Sequence, residues 1–215
     1  MRWKDKRLAD GCAAKTVKDS DLSALKSVFG WAERNHIIPS NPAKGITMKV
    51  GKKPRQRAPG FTDAEACAVL GAALRYVAAE QEYPREYPRT ATAKRWAPWL
   101  CAYTGARIGE IVQLRRQDVR REGQHWIITI TPEAGPVKNK EMRQVPLHPH
   151  LVELGFPAFA ESQPDGYLFV GPAKRDDVLG RLQGLKNRIS DFVRTVVTDE
   201  RVAPSHGWRY RLGYL

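Results

Sequence analysis

"TGARIGEIVQLRRQDV", residues 104 to 119, is the stretch on which the reading of this chain turns. A helix runs into it through "TAKRWAPWLCAYTG" and stops at Gly105, since a glycine just past the last apolar position ends a helix readily. The next helix is expected to begin at once, with Arg107 in its first turn and Glu110 one turn on, on the same face. Beyond it the period changes. "HWIITIT" (125–131) alternates and is rich in β-branched and aromatic residues, "PEAGPVKNKE" (132–141) carries turn residues, and "MRQVPLH" (142–148) reads as a returning strand. That pattern predicts a hairpin with a long tip, with Lys138 at or near the tip and Lys140 close by.

Working outward, "PHLVELG" and the aromatic loop "GYLFVG" lead to "GRLQGLKNRISDFVRTVVTDE". There Leu182, Leu185, Ile189, Phe192, Val193 and Val196 line one side of a helix. The chain closes on "PSHGWRYRLGYL", which sets His206 and Arg209 three apart on the expected first turn of another helix. Upstream, "FTDAEACAVLGAALRYVAAE" opens with a capping-box pattern, Thr62 followed at the third position by Glu65. Before that, "KVGKKPRQRAPG" has Pro, Gly and basic residues with no apolar period, and reads as a linker. In "SDLSALKSVFGWAERNHIIPSNPAKGI", Leu22, Leu25, Val28, Phe29 and Ala32 recur at three and four. This predicts an amphipathic helix capped by Ser20 or Asp21 and ended by the prolines of "IIPSNP". The expected division is 1–48, a linker over 49–59, and 60–215.

The 215 residues and 42% hydrophobic content suffice for a folded core. The formal charge is +13, and it is uneven: residues 1–60 hold 14 basic and 5 acidic side chains, a local +9, against +4 for the rest. Such an excess favours a polyanionic partner, nucleic acid first among them. Cys12, Cys67 and Cys101 are widely spaced and odd in number, which reads as reduced thiols of a cytoplasmic protein. His148 and His150 in "HPH" flank a proline with no second pair nearby, so a surface loop is expected there, and no metal. No apolar run is long enough to span a membrane, and the N-terminus lacks the apolar middle of a signal peptide.

The order of these motifs carries more than any one of them. "TGARIGEIVQLRRQDV", then "VKNKEMRQVPLHP", then "HGWR" after a long helix, closely resembles the catalytic domain of the tyrosine recombinases, the phage integrase family. "SALKSVFGWAERNHIIPSNPAKGI", with its closing "NPA", resembles the last part of that family's helical core-binding domain. The resemblance implies a mainly α (α+β) fold: a partial helical, SAM-like core-binding domain, then a catalytic domain of helices with a small antiparallel sheet. It implies double-stranded DNA as partner and no metal or nucleotide cofactor. The implied setting is the bacterial cytoplasm and nucleoid, with the gene in a bacterium or a phage.

Carried over residue by residue, Arg107 becomes the first catalytic arginine, Glu110 the acid that buttresses it, and Lys138 the mobile hairpin lysine, with Lys140 its nearest rival. His206 and Arg209 fill the family's His-x-x-Arg motif. The chemistry in the family is tyrosine attack on a DNA phosphate, giving a 3′-phosphotyrosine link and a free 5′-hydroxyl, followed by rejoining. Two guanidiniums suit the charge gathering on the non-bridging oxygens. A hairpin lysine suits protonation of the departing 5′-oxygen, and a histidine suits proton relay near neutral pH. The linker's Lys52, Lys53, Arg55 and Arg57, with Lys140, are the expected DNA-binding cations.

The family continues past His-x-x-Arg to its nucleophilic tyrosine and to a segment that docks on a neighbouring protomer, both missing here. Tyr210 and Tyr214 do not match its spacing, so neither is expected to be the nucleophile. The expectation is therefore an integrase trimmed at both ends, which binds duplex DNA without cutting it and lacks the segment for the family's homo-oligomer on DNA. The competing readings are a non-catalytic DNA-binding module or regulator derived from an integrase, the related type IB topoisomerase chemistry, and an interaction protein with no nucleic-acid role.

Overall fold

The computed structural model of the chain describes residues 3–51, 56–78, 86–135, 141–171 and 177–212. It divides into two compact units, Met1–Gln56 and Arg57–Leu215.

In the first unit, α1 (Trp3–Ala9) is followed by α2 (Ala14–Thr16), which runs through a π-helical turn at Val17–Leu22 directly into α3 (Ser23–Arg34). The expected cap at Ser20 or Asp21 is therefore not a cap. Both residues lie inside one continuous helical path, and Leu22, just ahead of α3, is itself helical at φ −68°, ψ −35°. An N-cap requires an extended residue there. Asp21 instead accepts from Arg7 Nε at 2.9 Å, which ties α1 to the π turn. Val17 and Leu22 are buried, Leu25, Phe29 and Ala32 are half-buried, and Val28 is exposed. The turn that follows is built by Asn41, whose amide donates to the Lys26 carbonyl at 3.1 Å and accepts from Ala43 N–H at 2.8 Å. That Asx turn gives "NPA" a local physical role: it folds the chain back on α3.

The second unit contains α4 (Asp63–Leu74), α5 (Pro88–Thr104), α6 (Ile108–Val112), β1 (Val119–Glu122), β2 (His125–Ile130), β3 (Arg143–Pro146), α7 (Pro149–Glu153), α8 (Phe156–Ser162), α9 (Val178–Val196) and α10 (Gly207–Leu212). The fold is thus mainly helical with one antiparallel sheet, in strand order β1-β2-β3. The capping box forms as expected: Thr62 Oγ1 accepts from Glu65 N–H, and Glu65 accepts from Thr62 N–H at 2.8 Å. α5 starts earlier than its apolar run suggests, with Pro88 at its first positions, and carries Pro98 within it. Its residues from Trp96 to Cys101 are all buried, the signature of a central helix apolar all round, and it packs against α4, α6, α9 and α10. Leu182, Leu185, Ile189, Phe192 and Val193 of α9 are buried in the same core.

Three expectations are corrected here. The helix foreseen through residue 119 ends at Val112, because the chain at 114–116 pairs with the segment 166–168. Leu168 N–H donates to the Leu114 carbonyl at 2.9 Å and Arg116 N–H to the Gly166 carbonyl at 2.8 Å, with Arg115 bridged to Tyr167. The hairpin gains a third strand, β1, through the two-residue turn Gly123–Gln124, where Gly123 takes φ +59°. Its sequence "VRRE" is short and charged, which suits an edge strand and masks the alternation. Finally, "HPH" starts a helix. His148 is the N-cap of α7, and His150 Nδ1 lies 2.6 Å from the Tyr103 hydroxyl.

Candidate functional site

Gly105 is the pivot. It ends α5 in the left-handed region at φ +61°, and a Cβ there would stand 2.9 Å from Leu212 Cδ1. Only glycine meets both conditions without strain. The turn it makes sets Arg107 as the extended N-cap residue of α6 rather than within its first turn. Glu110 nevertheless reaches back to it, three residues on: its carboxylate accepts from the Arg107 backbone N–H at 2.9 Å and from Arg107 Nη1 at 2.9 Å.

Glu110 is only 2% exposed, which for a carboxylate demands full pairing. The pairing is completed from β3, where Arg143 donates through Nη2 at 2.5 Å and, at a long 3.4 Å, through Nη1. Burial pushes the Glu110 carboxyl upward, but the hydrogen bonds from Arg143 and from Arg107 outweigh it, and the net direction is below the usual carboxylate range. The neighbouring Cys101 thiol is fully buried and is pushed up to about 12, first by that burial and then by the Glu110 charge. Arg143 carries no local signal as a site residue except one. In an alternating strand it falls on the same inward side as Val145, and a charged side chain at an inward position implies a buried partner.

The second arginine arrives from the far end of the unit. Arg209, exposed on α10, donates from Nη1 to the Gly105 carbonyl at 3.0 Å across 104 positions of sequence. Arg209 is therefore tied to the turn that precedes Arg107 by two residues. α10 is pressed into place by close packing: the Trp208 ring lies 4.7 Å from that of Phe61, and a Cβ on Gly207 would come within 2.5 Å of the Phe61 ring. Arg211 Nη1 adds a hydrogen bond to the Phe61 carbonyl at 3.1 Å. His206 lies in the turn just ahead of α10, exposed, and its imidazole makes no hydrogen bond among the described residues. That turn is pinned from α9. Ser205 Oγ and Ser190 Oγ stand 2.6 Å apart, and Arg194 donates to the carbonyls of Asp199 at 2.7 Å and Val202 at 2.6 Å.

Lys138, Lys140, Lys52, Lys53, Arg55 and Tyr214 lie outside the described residues. Arg57, expected to face DNA, is engaged elsewhere: its guanidinium donates to Glu65 at 2.7 and 2.8 Å and to Asp199 at 2.8 Å. Tyr210, directly after Arg209, is exposed. Among the described residues no three His, Cys, Asp or Glu side chains gather as a metal site, and no helix is long and apolar enough to cross a membrane.

No family model matches the sequence, and no curated protein matches it. Among solved structures, an integrase from mycobacterium phage Brujita aligns over 95% of this chain at 21% identity with a TM-score of 0.39. The chain spans 59% of that protein's length.

Proposed function

We propose that this chain binds duplex DNA and grips a backbone phosphate between Arg107 and Arg209. The observation that carries the proposal is the tie from Arg209 to the Gly105 carbonyl, two residues before Arg107 and 104 positions away in sequence, with donors left over on both arginines. Arg107 uses one guanidinium nitrogen on Glu110 and Arg209 one on Gly105, and their other guanidinium nitrogens donate to no described residue. Fixed-charge planar donors of this kind match the paired oxygens of a phosphate.

The proposed context is strand cleavage and rejoining of the tyrosine-recombinase type, with integration of a mobile element as its outcome. Arg107 and Arg209 would stabilise charge on the phosphate in the transition state. Glu110 would hold Arg107, Lys138 would protonate the leaving 5′-oxygen, and His206 would relay the proton of the attacking hydroxyl. Tyr210 is not assigned the nucleophile's place beside them. As the helical neighbour of Arg209 it is turned roughly 100° from the face that carries the guanidinium. The reading assigned to the chain is therefore phosphate binding, with no described tyrosine as nucleophile.

The test is fluorescence anisotropy of a labelled duplex across a salt series. Binding should weaken steeply with salt, and Arg107→Ala and Arg209→Ala should together flatten the slope by about 0.9, the value of one phosphate contact, each single variant contributing part of it. A flat salt response in the parent protein refutes the phosphate reading. A protein–DNA adduct that survives denaturation and maps to Tyr210 refutes its exclusion as nucleophile.

A further inference from the structure

Glu110 poses an electrostatic problem for the arginine it supports. A carboxylate beside a guanidinium makes a neutral pair, and a neutral pair has little attraction for a phosphate. Left alone with Glu110, Arg107 would also close on it through two nitrogens, the favoured geometry of arginine and carboxylate. That would consume the donors a phosphate needs. The structure shows neither outcome: Arg143, from β3, donates to both oxygens of Glu110, and Arg107 gives it a single guanidinium bond. Arg107 is held through Nη1 and its backbone N–H, and its side chain stays 26% exposed.

We infer that Arg143 is a positioning residue for the phosphate grip: by occupying Glu110 it keeps the Arg107–Glu110–Arg143 unit cationic and leaves the outer donors of Arg107 open. The inference rests on the duplex-DNA reading and deepens it. It assigns β3 a function beyond sheet pairing, since Arg143 links the strand after the hairpin tip to the turn that carries Arg107. The groups facing Glu110 are Arg107 on its own turn, Arg143 from β3 and the Cys101 thiol from α5.

The decisive comparison uses Arg143→Ala, Arg143→Lys, Glu110→Gln and the double variant Glu110→Gln/Arg143→Ala, each first shown to be folded by circular dichroism. Arg143→Ala should bind a labelled duplex roughly tenfold more weakly, with a shallower salt slope. Arg143→Lys keeps the charge and should retain most of the affinity. The double variant should recover affinity over Arg143→Ala, because a neutral amide at position 110 no longer cancels the charge of Arg107. Arg143→Ala should cost far less affinity in the Glu110→Gln background than in the parent protein; a direct phosphate contact by Arg143 predicts the same cost in both backgrounds, and a merely structural role predicts that the double variant is worse than either single one, and either result overturns the inference.

A measurement without DNA separates this inference from the reading beneath it. Nitrogen-15 NMR of the arginine side chains should show the Arg107 guanidinium protons exchanging with water faster in the parent protein than in Arg143→Ala, where Arg107 closes on Glu110. Unchanged exchange overturns the inference. If the exchange slows as expected while the parent protein binds no duplex, the DNA reading fails and the positioning role of Arg143 stands.

Discussion

Replacing Glu110 by glutamine keeps the size of the side chain and removes its charge, at a position only 2% exposed. The carboxylate accepts two hydrogen bonds on each oxygen, from Arg107 N–H and Arg143 Nη2 on one and from Arg107 Nη1 and, at a long 3.4 Å, Arg143 Nη1 on the other. A glutamine oxygen can occupy only one of the two acceptor positions, and the amide nitrogen in the other then faces donors. Two hydrogen bonds are lost, at least one of them charge-assisted, at roughly 1.5–3 kcal/mol for each bond to a charged group. Two effects offset this: a neutral amide is less costly to bury, and the arginines, 26% and 38% exposed, can turn to water. A net loss of roughly 2–4 kcal/mol follows, a large part of the ~5–15 kcal/mol that holds a domain together. The assay is urea unfolding at two pH values. Because the folded Glu110 carboxyl lies below its ordinary value of 4.5, its contribution is complete above that value and disappears as the pH falls through the folded one. The gap between the parent protein and Glu110→Gln must therefore narrow in acid. A gap below about 0.5 kcal/mol near neutral pH, or one of the same size near pH 7 and near pH 3, would refute the account of Glu110 as the charged centre of the site.

Gly207→Ala forces a methyl group against the buried Phe61 ring, 2.5 Å from its nearest carbon, and should cost roughly 1–3 kcal/mol in a thermal melt. It should also weaken duplex binding, because Arg209 rides on the helix that is displaced. Glu65 has its carboxyl drawn down to about 2, chiefly by the Arg57 guanidinium. Its stabilising effect should be complete above the ordinary value of 4.5 and vanish as the pH falls toward 2, so Glu65→Gln should resemble the parent protein in strong acid and unfold more easily at neutral pH. Iodoacetamide near pH 8 should label the exposed Cys67 and leave Cys101, buried with its thiol raised to about 12, untouched until the protein unfolds. Equal labelling of the two in the folded protein would contradict the packing of α5.

The parts legible in the sequence are those decided by neighbours within a turn or two. The capping box at Thr62 and Glu65, the glycine stop at Gly105, the apolar side of α9 and the strands β2 and β3 all follow from local pattern and have local causes. What the pattern missed was decided by partners far along the chain. Residues 113–118 have the composition of a helix, yet Leu114 and Arg116 pair with Leu168 and Gly166, and that pairing overrides propensity. Arg143 looks like one of many arginines until β3 is set beside α6, 33 positions away from Glu110.

The motif "HGWR" shows the same division within four residues. Its spacing places His206 and Arg209 near one another, and that much is readable from a helix period. Where the pair ends up is decided by Gly207 and Trp208, which fit against Phe61 so closely that no side chain can stand at position 207 without displacing the ring. The motif's glycine is thus a packing residue, and the reach of Arg209 to the Gly105 carbonyl depends on it. A substitution at 207 should for that reason act on phosphate binding through geometry alone. It should lower affinity while leaving Arg107 and Glu110 bonded as before, so that Glu110→Gln costs the same stability in either background, as independent sites require.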